Sequence, residues 1–273
     1  MNDSTMVPTE LRSIQGLMEY RACVELQRAT WGEAFREIVP ASVMMVAAKV
    51  GGVTAGAFDG GGRLQGFVFG LAGYRDDGPV HWSHMLAVRE SVQGQGLGRR
   101  LKLYQREQVL GQGVRDVYWT FDPLFARNAH LNLNRLGATV VDYQVNLYGD
   151  DTRSRLRTRS GTDRLIVHWA LESDRTVRAL HGEPVADAGA YRNAPVLSPR
   201  DQEVEERIGD VPRLLIEIPW DVQALKRTDG DEVARWRRTT RRAFSHCLER
   251  GYRVEGLLRD LEAKRCFYQA RRR

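Results

Sequence analysis

The chain has 273 residues and only three cysteines, Cys23, Cys247 and Cys266, spread far apart. So sparse a set excludes a disulfide scaffold and a cysteine-rich zinc site, and a reducing, cytoplasmic compartment is the expected setting. Cys23 stands among apolar helical neighbours with no identifiable histidine partner, which argues against a thiol nucleophile. Long hydrophobic runs are also missing. No stretch approaches the length of a bilayer span, and the first residues lack the apolar segment of a signal peptide, so no membrane association is expected. The six histidines are scattered, and no metal is expected. No Lys-Ser or Lys-Thr follows a glycine loop at the spacing of a nucleoside-triphosphate site. An ordered aromatic and basic pattern is absent as well, so nucleic acid is not an expected partner.

What is present fits a folded globular protein: 42% of residues are hydrophobic and 28% charged. The formal charge of +6 favours anionic partners without choosing among them. Much of the excess falls late, at Arg235, Arg237, Arg238, Arg241 and Arg242, which read as the solvated face of a helix.

Along the chain, 19–30 has helical spacing, and 43–49 reads as a strand followed by a glycine-rich turn or weak element up to Gly62. Strands are predicted over 64–71 and 81–88, a helix over 99–110 and a strand over 114–121. A second helix over 125–135 stops at Gly137, and 138–147 returns as a strand. The polar segment 149–162 lacks a core period. Beyond it, 165–171 and 214–218 read as strands, 181–210 as a long loop, 231–250 as a helix, and 252–258 with 265–269 as a terminal strand pair. Two regions follow: 1–149, and an α/β extension over 150–273.

The chemistry concentrates in Gln93-Gly-Gln-Gly-Leu-Gly-Arg99, between a strand and a helix. Glycines at 94, 96 and 98 permit close backbone approach, and the helix that follows presents unsatisfied amides at its positive end. A pyrophosphate fits such a place, with Arg99 or Arg100 adding charge. The glycine spacing and the elements ahead of it fit a Rossmann fingerprint poorly.

Leu86-Ala-Val88 followed by Gln93-x-x-Gly96-x-Gly98 resembles the acetyl-CoA motif of the GNAT acyltransferase superfamily. The resemblance is strongest over residues 80–148. It implies a mixed, mainly antiparallel central sheet flanked by helices, with a C-terminal α/β extension. It further implies acetyl-CoA or another acyl-CoA as donor substrate, held by Leu86, Val88, Gln93, Gly94, Gly96, Gly98, Arg99 and Asn128. Segments such as Trp119-Thr-Phe-Asp-Pro-Leu and Gly161-Thr-Asp-Arg164 resemble a bacterial branch with a long C-terminal region, some of whose members are linked to N-succinylation, so succinyl-CoA stands beside acetyl-CoA. The family's later helix often carries a tyrosine four residues before its glycine. Leu133 occupies that position, so no general acid transfers to it.

Acyl transfer to an amine needs a neutral nucleophile, a base for its proton and a donor for the oxyanion. His81 and His84 are candidate bases, and alternation along a strand sends them to opposite faces. Asp122 is a third candidate, either polarising a base or capping the turn before Pro123. Glu33, Asn132, Tyr148 and Arg164 are candidate acceptor-binding residues, Arg164 through a carboxylate. The expected function is transfer of an acetyl or succinyl group to a primary amine of a small metabolite or amino acid in a ternary complex. A CoA-binding sensory or interaction module without efficient catalysis is the alternative, and a homodimer is compatible with either.

Overall fold

A computed structural model describes residues 9–75, 77–149, 154, 161–198 and 211–272. Most of the polar segment 149–162, and the end of the loop predicted up to 210, lie outside the described residues. The chain divides into two compact units, one running to Trp119 and the other starting at Thr120. The boundary expected from the sequence, at 149, lies thirty residues further on.

The first unit contains β1 (Glu10–Ser13), α1 (Gly16–Trp31), α2 (Ala41–Lys49), β2 (Val53–Phe58), β3 (Leu64–Arg75), β4 (Gly78–Val88) and α3 (Leu97–Gly111), and most of β5 (Asp116–Phe121). Its strands run in the order β1-β2-β3-β4-β5, antiparallel up to β4 and parallel between β4 and β5. The predicted strand over 43–49 is instead α2. Pro40 precedes it, and only Met44 and Ala47 are buried while Val43 and Val46 are exposed, a one-sided helical pattern that β-branched residues disguise as a strand. The weak element before Gly62 is a fully buried strand, β2.

Two sets of side chains divide the faces of this sheet. Phe67, Phe69, Met85 and Ala87 join Tyr20, Cys23, Leu26 and Met44 in a core beneath α1 and α2. On the other face α3 approaches closely where β3 carries no side chain: a Cβ on Gly70 would lie 2.1 Å from His81 Nε2 and 2.8 Å from the Trp82 carbonyl.

The second unit contains α4 (Ala126–Ala129) with a π turn over His130–Arg135, β6 (Thr139–Gln144), β7 (Arg164–Ala170), α5 (Asp174–Leu180), β8 (Val196–Leu197), β9 (Arg213–Ile218), α6 (Val222–Thr228), α7 (Gly230–Glu249), β10 (Tyr252–Asp260) and β11 (Arg265–Arg272). β6 and β7 pair antiparallel, and β10-β11-β9-β8 form a four-stranded sheet. Its core includes Trp169, and Phe244 stacks on Tyr143 at 5.4 Å and meets Tyr268 edge-on at 5.0 Å. The described architecture is therefore α/β, with a mainly antiparallel sheet, flanking helices and a further sheet in the C-terminal region. No helix among the described residues is long and apolar enough to cross a membrane.

Gly70→Ala is expected to destabilise the protein by about 2–4 kcal/mol, because backbone and a buried ring must move to admit the methyl group. Gly98→Ala, whose Cβ would meet only Leu86 at 3.7 Å and Val88 at 4.0 Å, is expected to stay within about 1 kcal/mol of wild type. Urea denaturation of both variants checks the contrast.

Candidate acyl-donor site

β4 is interrupted. Phe69 pairs with Met85 and Gly70 with Ser83, so His84 is an extra residue in a bulge. His81 and Ser83, ahead of the bulge, face α3. His84 turns the other way, its ring edge-on to Phe69 with centroids 6.1 Å apart. Beyond the bulge the alternation is reset, and Leu86 and Val88 face α3 beside Gly98.

The β4–β5 ladder is short as well. Its described pairs are His81 with Val117 and Trp82 with Tyr118. From Ser83 onward β4 continues to Val88 without a described partner on that edge, so the two strands part as a fork. Val88 is held at the far end: its carbonyl accepts a 3.0 Å hydrogen bond from Gln93 Nε2, and Arg89 Nε donates to the Leu64 carbonyl at 2.6 Å.

The glycine loop lies directly beyond. Gly94 and Gly96 have φ of 87° and 78°, the left-handed region that costs other residues about 1–2 kcal/mol. Gly96 is the N-cap of α3 and offers no side chain to the first-turn amides. A Cβ there would meet no described atom within 4 Å, so the backbone at the positive end of this 15-residue helix can be approached closely at Gly96. Gln93 and Gly94 are exposed, and Gly98 and Arg99 are half-buried. Arg100 is committed elsewhere, donating to Thr9 Oγ1 at 2.6 Å and to the Thr9 carbonyl at 2.9 Å.

Sequence reasoning missed the group at the closed end of the fork. Lys102 is 2% exposed, and its Nζ donates to Ser83 Oγ at 2.6 Å and to Gln105 Oε1 at 3.3 Å. It also lies 3.9 Å from the centre of the Trp119 ring. Ser83 and Trp119 are the first residues past the paired ones, so this ammonium touches both arms where they part. Burial, with no carboxylate partner among the described residues, pushes its pKa down to about 7. The ammonium only donates, so Gln105 must turn Oε1 toward it. Its Nε2 then donates to Nε2 of His81 at 3.1 Å, which requires a neutral ring with its proton on Nδ1. Burial, with Lys102 nearby, pushes the His81 pKa down to about 4. At 1% exposure His81 has no access to a substrate.

His84 is the opposite case. It is exposed, on the α1 and α2 face, and surrounding protein lowers its pKa against the opposing pull of Glu37. A recessed imidazole that stays neutral near pH 7 is a ready proton acceptor. The segment carrying Glu37 is fixed by Gln27, a buried side chain that donates to the Val39 carbonyl at 3.1 Å and accepts from the Val39 amide at 2.7 Å. Glu33, on the same segment, is exposed and loosely paired with Arg28 at 3.8 Å.

The remaining candidates belong to the second unit. Asp122 caps the turn at Pro123 by accepting from the Leu124 amide at 2.9 Å, and its Oδ2 accepts from Arg237 at 2.6 Å, so it is not free to act as a base. Arg237 is therefore no part of a solvated helix face; it is 1% exposed. Arg241 is also turned inward, onto Asp163. Asn128 is exposed and Asn132 buried, because the π turn breaks the four-residue register that would align them. Leu133 is fully buried. Tyr148 Oη shares a 3.0 Å hydrogen bond with Thr120, and the Arg164 guanidinium lies 5.2 Å from the centre of the Tyr148 ring. The three thiols are buried, and burial raises the pKa of Cys23 and Cys247 to about 12 and of Cys266 to about 11. No group of three or more potential metal ligands occurs among the described residues.

No family model matches the chain, and no curated protein matches it. Solved structures do. An acetyltransferase of the GNAT family from Streptococcus pneumoniae is 16% identical with a TM-score of 0.48, covering 59% of this chain and 98% of its own. Aminoglycoside 6'-acetyltransferase type Ii is 19% identical with a TM-score of 0.47, covering 61% and 98%. The NatC complex bound to Gag peptide and CoA is 12% identical with a TM-score of 0.46, covering 59% and 98%.

Protonation of His81 is expected to weaken the fold. The unfolded ring takes up its proton near pH 6.5 and the folded ring only near 4, so stability falls as pH drops through that window, by up to about 3 kcal/mol. Urea unfolding at pH 7 and pH 4.5 checks this: His81→Gln is expected to flatten the decline, and an unchanged pH slope would contradict the assignment.

Proposed function

We propose that the chain is a GNAT-type N-acyltransferase that moves an acyl group from coenzyme A to a primary amine of a small metabolite or amino acid. The observation that carries this reading is the left-handed Gly94 and Gly96 at the positive end of α3, beside a β4 edge with no strand partner among the described residues. A pyrophosphate takes the amides from Gly96 to Arg99, with Gln93 and Arg99 alongside. The extended pantetheine arm takes the free edge of β4 at Leu86 and Val88, as an added strand would. Bound there, the thioester supplies an activated carbonyl, and the amine attacks it directly, forming the amide and releasing the thiol. His84 takes the ammonium proton that must leave before attack. The donor is acetyl-CoA or succinyl-CoA.

A second reading has its own observation. Leu133 is buried and apolar where the family often has a phenol, which suits a CoA-binding sensory or interaction module without efficient chemistry. Purified protein incubated with acetyl-CoA or succinyl-CoA and an amine panel separates the two, with thiol release and acylated product both followed. Product is expected; CoA binding with no product across the panel would favour the module. His84→Gln is expected to lower kcat by about 100-fold while leaving acetyl-CoA affinity near wild type. Gly96→Val is expected to weaken CoA binding at least about 10-fold, through strain at φ of 78° and obstruction of the helix end. Unchanged CoA affinity in Gly96→Val would remove the loop from the donor site.

A further inference from the structure

A buried ammonium is costly unless each of its N–H groups finds a partner. Lys102 has three such donors, and three partners surround Nζ: Ser83 Oγ at 2.6 Å, Gln105 Oε1 at 3.3 Å, and the face of Trp119, 3.9 Å from the ring centre. Ser83 lies on β4 and Trp119 on β5, each the first residue beyond the last described pair of the parallel ladder. One charge therefore bridges the two arms at the point where they part. These residues all belong to the first unit.

Removal of one proton rewrites this arrangement. A neutral amine keeps two N–H groups and gains a lone pair. Its attraction to the Trp119 ring, which needs a cation, is lost. The lone pair can accept from Gln105 Nε2 once that amide turns over, and Oε1 then faces His81 Nε2. To donate to it, the buried ring must move its proton from Nδ1 to Nε2 without changing charge. Little else titrates beside Lys102. β2 and β3 turn Val53, Ala55, Val68 and Gly70 to this face, and His81 is the titratable group that β4 presents to it. β5 presents Val117 with Trp119, and β1 presents Ser13, which is paired with Tyr104 of α3. Arg99 and Arg106, one turn to either side on α3, are arginines and keep a constant charge.

We propose that Lys102 is a positioning residue for the acyl donor: its ammonium fixes the two arms where the free edge of β4 begins, and Gln105 relays its protonation to the tautomer of His81. This rests on the acyl-transfer reading for the ligand that takes the edge. Arms held in place preorganise that edge, so donor binding and the Lys102 proton favour one another. Burial brings the titration of Lys102 to about pH 7, whereas His81 stays neutral down to about 4.

Imidazole nitrogen-15 shifts of the full chain, followed from pH 6 to pH 8.5, read the relay without any ligand. His81 is expected to pass from the Nδ1–H to the Nε2–H tautomer with a midpoint near pH 7, a change absent in Lys102→Met. Acetyl-CoA affinity, measured by titration calorimetry in both proteins, reads the consequence. The donor's own phosphates titrate alike in both and cancel in the ratio. The wild type is expected to lose its advantage over Lys102→Met by about 5-fold or more between pH 6 and pH 8.5. Lys102→Arg, with a charge that does not change, supplies a second reference against which the same decline is expected. A single His81 tautomer across this range overturns the proposal, and so does an affinity ratio that stays constant. A tautomer change in a protein that binds no acetyl-CoA at any pH keeps the relay and removes the acyl-donor reading instead.

Discussion

A parallel ladder whose described pairs stop at Trp82 and Tyr118 leaves the backbone of β4 from Ser83 to Val88 without a strand partner on one edge among the described residues. Backbone amides and carbonyls are obligatory hydrogen-bonding groups, so such an edge must be answered by water, a side chain or an extended ligand. Gln93 answers the last carbonyl. The rest of the candidate donor site follows from this early parting. The bulge at His84 turns one imidazole away from α3, and the exit of β4 is fixed so that the glycine loop starts where the free edge ends. Lys102 marks the closed end, touching Ser83 and Trp119 and setting, through Gln105, the tautomer of His81.

The two histidines show how environment separates residues that the sequence treats alike. Both lie on β4 three residues apart, and both are held below the ordinary imidazole pKa. His81 is neutral because it is sealed and must accept from Gln105, and it serves the packing of α3. His84 is neutral in a recess that keeps solvent access. A similar separation divides the arginines of α7, where a run that looks like one solvated face includes Arg237 and Arg241, each turned onto a carboxylate.

The course from β4 through the glycine loop and α3 to β5 was legible because its signals are local: an apolar strand, glycines at fixed spacing, a helix-forming run and a second apolar strand. The terminal strand pair was legible for the same reason. The strand expected over 43–49 failed because Val43 and Val46 suggest β structure, although burial follows Met44 and Ala47 on a helix. Lys102, Gln27 and Arg237 were missed on other grounds. Each is an ordinary polar residue in the sequence and gains its role from a partner far along the chain, such as Ser83, Val39 or Asp122. The bulge at His84 depends on the register of β3 against β4, which no local pattern encodes. Leu133 shows the limit of resemblance, since the proton donor it fails to supply is not replaced by any phenol in its own segment.

The central claim is that an acyl-CoA lies along the free edge of β4 with its pyrophosphate at the head of α3. Backbone hydrogen exchange with and without acetyl-CoA reads both contacts at once. Slowed exchange is predicted at two places, the β4 amides from Ser83 to Val88 and the loop and first-turn amides from Gly94 to Arg99. Binding of acetyl-CoA that leaves both segments exchanging at their free rates would contradict the account.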